Sequence, residues 1–179
     1  MRPAREKIRI LSSLVTIALV TAAKTACQEQ PSQAGENTEP QRRILISIPD
    51  RKLALIEKGQ VVKIYATAVG AQASPTPTGT YKLAQRIPNP TWYGPNGVVP
   101  PGKDNPLGTR WMGLSARGYG IHGTNAPGSI GKAASHGCIR MRKPDLEELF
   151  EMVAVGIAVE LHGERPELLT KILTPAVAD

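Results

Sequence analysis

Two cysteines, three histidines and a single phenylalanine in 179 residues leave little from which to build a disulfide scaffold, a histidine-rich metal centre or an aromatic core. With aromatic content at 4%, any core must be made of Ile, Leu, Val and Ala. The same scarcity, together with the absence of a Lys/Arg stripe, removes the base-stacking ladder that single-stranded nucleic acid requires, so nucleic acid is not an expected partner. A formal charge of +7 does not restore it. Arg2, Arg5, Lys7, Arg9 and Lys24 stand against Glu6 within the first 26 residues, which accounts for +4, and the rest of the chain carries a net +3. No uncharged apolar run reaches the roughly 20 residues that span a bilayer. The longest such run is residues 10–23. Hydrophobic content of 41% and charged content of 21% exclude disorder of the whole chain.

Residues 1–9 are basic, residues 10–23 are apolar, and small residues follow, the three parts of an export signal. Residues 1–26 are read as a signal peptide or, if uncleaved, as an N-terminal membrane anchor. Thr25-Ala26-Cys27 adds lipidation of Cys27 as a third option, against which the charge of Lys24 stands. The expected location is the periplasm or cell wall, with the anchor as a membrane tether. Residues 27–42 are polar and read as a disordered linker. Residues 43–163 form one domain and residues 164–179 a tail that adds at most a weak helix. In an oxidising compartment a lone thiol needs a reason to exist. If Cys27 is removed or lipidated, Cys138 is that thiol; the alternative is a Cys27–Cys138 disulfide.

Residues 44–48, 53–57 and 61–70 have strand character, with Lys58-Gly59-Gln60 as the turn of a hairpin. Ser74-Pro-Thr-Pro-Thr-Gly-Thr80 leads into a fourth strand, 81–87. Six prolines between Pro88 and Pro106, with Trp92 and Tyr93 among them, predict a long irregular loop that walls a cleft. Strands resume at 109–114 and 119–122. Pro144 in the first turn, acidic Asp145, Glu147 and Glu148, and Leu146, Leu149, Phe150 and Val153 at i, i+3, i+4 and i+7 predict a helix ended by Gly156. Residues 157–161 read as the last strand.

His122 and His136 both lie within 17 positions of Cys138. A free thiol titrates near 8.5 and needs an imidazole or another positive partner to act as a nucleophile at neutral pH. If residues 136–140 are extended, His136, Cys138 and Arg140 share one face. The N–H groups of Gly137 and Cys138 are candidate oxyanion donors. A core role for these groups, a zinc site, a non-catalytic wall-binding module and a papain-like peptidase are the competing readings. The spacing H-x13-H-x-C fits no familiar structural zinc pattern, His162 lies outside any motif, and a papain-like enzyme places its cysteine ahead of its histidine.

Ile121-His-Gly-Thr124, Ser129-Ile-Gly131 and Ser135-His-Gly-Cys-Ile-Arg-Met141 closely resemble the signature of L,D-transpeptidase catalytic domains of the YkuD type. Thr76-Pro-Thr-Gly79, Asn105-Pro-Leu-Gly108 and Arg110-Trp111 resemble further landmarks of that family in order. The resemblance implies a mainly β, barrel-like or sandwich fold with one packed α-helix. It implies Cys138 as nucleophile, His122 as proton acceptor and donor, and His136 as a second histidine that orients the site. Ser135, Gly137 and Thr124 match positions that shape the pocket, and Arg140 one that meets substrate carboxylate or backbone. No metal or cofactor is implied. The implied substrate is a peptidoglycan tetrapeptide stem, attacked at the L-centre of diaminopimelate with loss of D-Ala. The acyl group then passes to a second diaminopimelate, to a lysine of a wall lipoprotein, or to water in a carboxypeptidase.

Overall fold

The computed structural model describes residues 42–95 and 97–173, the side chains of 172 and 173 excepted. The expected signal or anchor, Cys27 and nearly all of the linker lie outside these residues. Strand β1 (Arg42–Ser47) begins at the last residue assigned to the linker. It runs antiparallel to β2 (Lys52–Glu57), and β2 to β3 (Gln60–Gly70), through the expected turn in which Lys58 and Gly59 both take positive φ. The remaining strands of the main sheet are β4 (Gly79–Pro88), β7 (Arg110–Leu114), β8 (Gly120–His122), β9 (Ala133–Ser135), β10 (Ile139–Met141) and β11 (Ala158–His162). They are ordered β10-β8-β7-β4-β11-β1-β2-β3-β9, and β10 also pairs with β3, which closes the sheet into a barrel with β9 appended. The mainly β expectation is met.

Closure gives the strands two faces with different fates. Ile44, Ile46, Leu53, Leu55, Leu83, Met112, Ile121, Ile139 and Met141 fill the interior at 1% exposure or less. Helix α1 (Lys143–Met152) packs against this core with Leu146, Leu149 and Phe150. Pro144 stands in its first turn as the sequence predicts, but the helix ends at Met152, not at Gly156. Val153 is already extended and buried, and Gly156, at φ 98°, turns the chain towards β11. Val153 thus reaches the core through strand-like backbone.

Leu45, on the outer face of β1, is buried as well. A second helix, α2 (Glu167–Leu173), lays Leu169 over Leu45, Ala54 and Ile56, so β1 is apolar on both faces. Arg165 holds the entry to α2 by pairing with Asp50, which also accepts from Ser47 Oγ at 2.5 Å.

The segment from Pro88 to Pro106 is not wholly irregular. β5 (Trp92–Gly94) and β6 (Gly97–Val99) form a short antiparallel hairpin. The prolines lie outside its ladder, with Pro90 before it, Pro95 in its turn, and Pro100 and Pro101 after it, so no ladder donor is lost.

Candidate active site

Three neighbouring strands of the barrel wall set the site by register. Trp111 on β7 pairs with His122 on β8, and His122 pairs with Arg140 on β10. Residues paired across strands point to one face, and their neighbours Met112, Ile121, Ile139 and Met141 point into the core. Trp111, His122 and Arg140 therefore stand on the outer face of the barrel. Cys138, two residues before Arg140, joins them there. All four line a cavity of about 600 Å³, whose far wall is Pro90, Trp92 and Tyr93 from the hairpin segment and Pro106 and Leu107 beyond it. That segment is the wall of a cleft, as its length and composition suggest.

The sequence-predicted residues fall as follows. His122 is 6% exposed, Ser135 is buried, Cys138 and Arg140 are partly exposed, and His136 is exposed at the cavity mouth. The extended stretch that would align His136 with Cys138 does not exist. The chain breaks between β9 and β10, and Gly137 takes φ 107°. Only glycine fits there, because a Cβ would also lie 2.7 Å from the Tyr119 ring. Thr124 stands apart: it lines a different cavity, with Lys143 and Asn105, and its Oγ1 accepts from the Ala126 N–H at 2.9 Å. His162 is also elsewhere, beside Glu160 on β11.

Ser135 ties the turn to itself. Its Oγ donates to the Cys138 carbonyl at 2.5 Å and accepts from the Gly137 N–H at 3.1 Å. This corrects the pair of oxyanion donors read from sequence, since the Gly137 N–H is already engaged and the Cys138 N–H alone is left for a ligand.

Electrostatics make the resting pair neutral. Burial drives the His122 pKa down to about 4, and the positive charge of Arg140 adds to the shift; the carbonyls of Gly123 and Pro106 pull the other way. Nδ1 makes no hydrogen bond of good geometry among the described residues, so that counter-pull is weak and desolvation wins. The Trp111 ring, 5.7 Å from the imidazole, supplies part of the dry surroundings. It can lie there because Gly113 and Gly120 have no Cβ in its way. Burial also raises the Cys138 thiol, against the Gly120 N–H and Arg140, which lower it. The thiol is free and reaches the Gly118 carbonyl at 3.5 Å. The imidazole and the thiol that line this cavity are thus both neutral at rest and are not a preformed ion pair.

Residues 41–161 match the model of the YkuD family, the L,D-transpeptidase catalytic domain. The chain belongs to that family. A putative L,D-transpeptidase YkuD of Bacillus licheniformis is 42% identical over 119 residues, 66% of this chain and 64% of that protein. A probable L,D-transpeptidase YbiS of Escherichia coli is 35% identical over 144 residues, 72% of this chain and 47% of its own length. The match thus spans less than two thirds of either relative. The solved catalytic domain of the E. faecium L,D-transpeptidase shares the fold at TM-score 0.57 and 24% identity, covering 72% of this chain and all of that one. An L,D-transpeptidase from Mycobacterium smegmatis does so at TM-score 0.58 and 20% identity, covering 69% and 59%.

Within this L,D-transpeptidase domain, sequence reasoning assigned no task to three residues that shape the site. Trp111 backs His122. Asn105, 1% exposed, is the hub of the cleft wall: its Nδ2 donates to the carbonyls of Pro90, Val99 and Pro100, and its Oδ1 accepts from the Leu107 N–H. Thr76, buried, accepts from the Gly70 N–H at 2.8 Å and donates to the Gly137 carbonyl at 2.9 Å. Each sits inside a landmark motif, but only the packing says what it touches.

Proposed function

We propose that this protein is an exported L,D-transpeptidase that carries the acyl group of a peptidoglycan tetrapeptide stem on Cys138 and passes it to an amine. The observation that carries the proposal is the meeting of an accessible thiol, a buried neutral imidazole and a guanidinium on the walls of one cavity. No Asp or Glu lines that cavity, and Arg140 has no carboxylate partner among the described residues. Such a site suits an anionic substrate, and a stem peptide brings carboxylates.

In the proposed cycle, the Cys138 thiol gives its proton to His122 as Sγ attacks the stem carbonyl, forming the C–S bond. The tetrahedral oxyanion collapses, the C–N bond to D-Ala breaks, and the D-Ala nitrogen takes the proton from His122. The acceptor amine then attacks the thioester, its proton passes to His122, the C–S bond breaks, and sulfur recovers a proton. A diaminopimelate acceptor gives a crosslink, a lipoprotein lysine gives wall anchoring, and water gives an L,D-carboxypeptidase.

Mass spectrometry of the full chain after incubation with a tetrapeptide stem or a carbapenem tests this. Wild type is expected to gain a covalent adduct on Cys138, and Cys138→Ala none. His122→Ala is expected to fold and to acylate roughly 10²-fold more slowly, the scale of general-base assistance. Wild-type speed in His122→Ala would move the base role to His136, and an adduct on any other residue would overturn the mechanism.

A further inference from the structure

Of the motifs singled out in the sequence, Thr76-Pro-Thr-Gly79 takes no part in the cycle above, yet it touches the turn that bears the thiol. Gly70 ends β3, and a Cβ on it would lie 2.3 Å from the Ser74 carbonyl oxygen and 2.4 Å from the Thr76 nitrogen. Its bare backbone lets residues 74–76 fold tightly against the strand. The Thr76 hydroxyl is thereby brought between two main-chain groups from distant parts of the chain, and its one hydrogen and one lone pair are both used. Thr76 is 6% exposed, so neither bond competes with bulk water.

The Gly137 carbonyl that Thr76 holds belongs to the same peptide plane as the Cys138 N–H. In a trans peptide the C=O and N–H point in opposite directions. Fixing the carbonyl inward on Thr76 therefore turns the Cys138 N–H outward. Among the described residues nothing accepts that N–H, and Cys138 lines the cavity. The other side of the turn is held by Ser135, which binds the Cys138 carbonyl and occupies the Gly137 N–H. Two buried hydroxyls thus fix both carbonyls of Gly137-Cys138 and leave one donor free.

We propose that Thr76 is a positioning residue that aims the Cys138 N–H into the cavity as the oxyanion donor of acyl transfer. The proposal rests on the acyl-transfer reading of Cys138. The hydroxyl acts through the Gly137–Cys138 peptide and touches no substrate. Its effect is confined to steps in which a carbonyl oxygen becomes negative, and it is absent from thiol reactions that make no oxyanion.

That difference gives the test. The full chain and its Thr76→Val and Thr76→Ser variants are compared in two reactions of the same sulfur, acylation by a carbapenem and alkylation by iodoacetamide. Thr76→Val keeps the shape and loses the hydroxyl. It is expected to acylate about tenfold to a hundredfold more slowly, less than the roughly hundredfold to thousandfold loss on removing an oxyanion donor outright, because the N–H is loosened and not removed. Its alkylation rate and the pH dependence of alkylation are expected to stay within twofold of wild type, and Thr76→Ser to recover most of the acylation rate. Equal loss in both reactions would mean that Thr76 merely holds the thiol in place, and equal retention that it does neither; each result overturns the proposal. Should Thr76→Val not fold, the wild-type carbapenem adduct still decides. Its Cys138 amide proton is expected to move downfield in the NMR spectrum while that of Gly137 does not, and the reverse pattern overturns the assignment. A wild type that alkylates but never acylates would instead refute the transpeptidase reading.

Discussion

A buried histidine kept neutral makes the protein's stability depend on pH in a way that can be worked from the structure. His122 titrates at about 4 in the folded chain against an ordinary 6.5. The unfolded chain therefore binds the proton first as pH falls, and this histidine draws the equilibrium towards unfolding. Its stabilising share is complete above pH 6.5 and is lost as pH falls towards 4. The gap corresponds to a loss of about 1.4 kcal/mol at pH 5.5 and about 3 kcal/mol at pH 4. Asp50, lowered chiefly by its hydrogen bond from Arg165, protonates below this window in the folded chain, but carboxylates of the unfolded chain take up protons at its acid end. The informative quantity is therefore the difference between wild type and His122→Gln, which cannot titrate. Urea unfolding of both, at half-unit steps from pH 7.5 to 4, is expected to show the difference moving in favour of the variant by these amounts. A difference that stays flat between pH 7 and 4.5 would refute the claim that burial holds the imidazole neutral, and with it the neutral base of the proposed cycle.

Other outcomes follow from particular contacts. Arg140→Gln is expected to raise KM for a tetrapeptide stem about tenfold or more, since a charge-assisted hydrogen bond contributes about 1.5–3 kcal/mol. It is also expected to shift Cys138 alkylation to higher pH, because Arg140 lowers that thiol; initial rates and an alkylation pH profile check both. Asn105→Ala deprives the Pro90, Val99 and Pro100 carbonyls of their donor. Limited proteolysis is expected to cut faster between residues 90 and 104 while the circular dichroism of the barrel is unchanged. Leu169→Ala empties a fully buried position under α2 and is expected to cost about 2 to 3 kcal/mol in urea unfolding with no change in acylation rate. A loss of acylation there would mean that α2 bears on the site.

The barrel was legible because its strands announce themselves locally. Alternating Ile44, Ile46 and Ile48, the Lys58-Gly59 turn and the Leu146–Leu149–Phe150 spacing each report a period that backbone geometry imposes. Reading failed where pairing was needed. The Trp92–Gly94 and Gly97–Val99 strands are three residues long, too short for a period to register among prolines. The end of α1 at Met152 was hidden because Val153 is buried by the strand-like backbone that follows the helix, although it sits at helical spacing.

The sequence by itself determined the chemical vocabulary of the site: one thiol, two histidines, an arginine and the glycines among them. Tertiary structure alone decided their charge states and directions. Burial beside Trp111 sets His122 neutral, and the hydroxyls of Thr76 and Ser135 choose which N–H faces the cavity. Both depend on atoms brought together by barrel closure, and the energy of a proton or a hydrogen bond depends on distance and solvent access, which spacing along a chain does not contain.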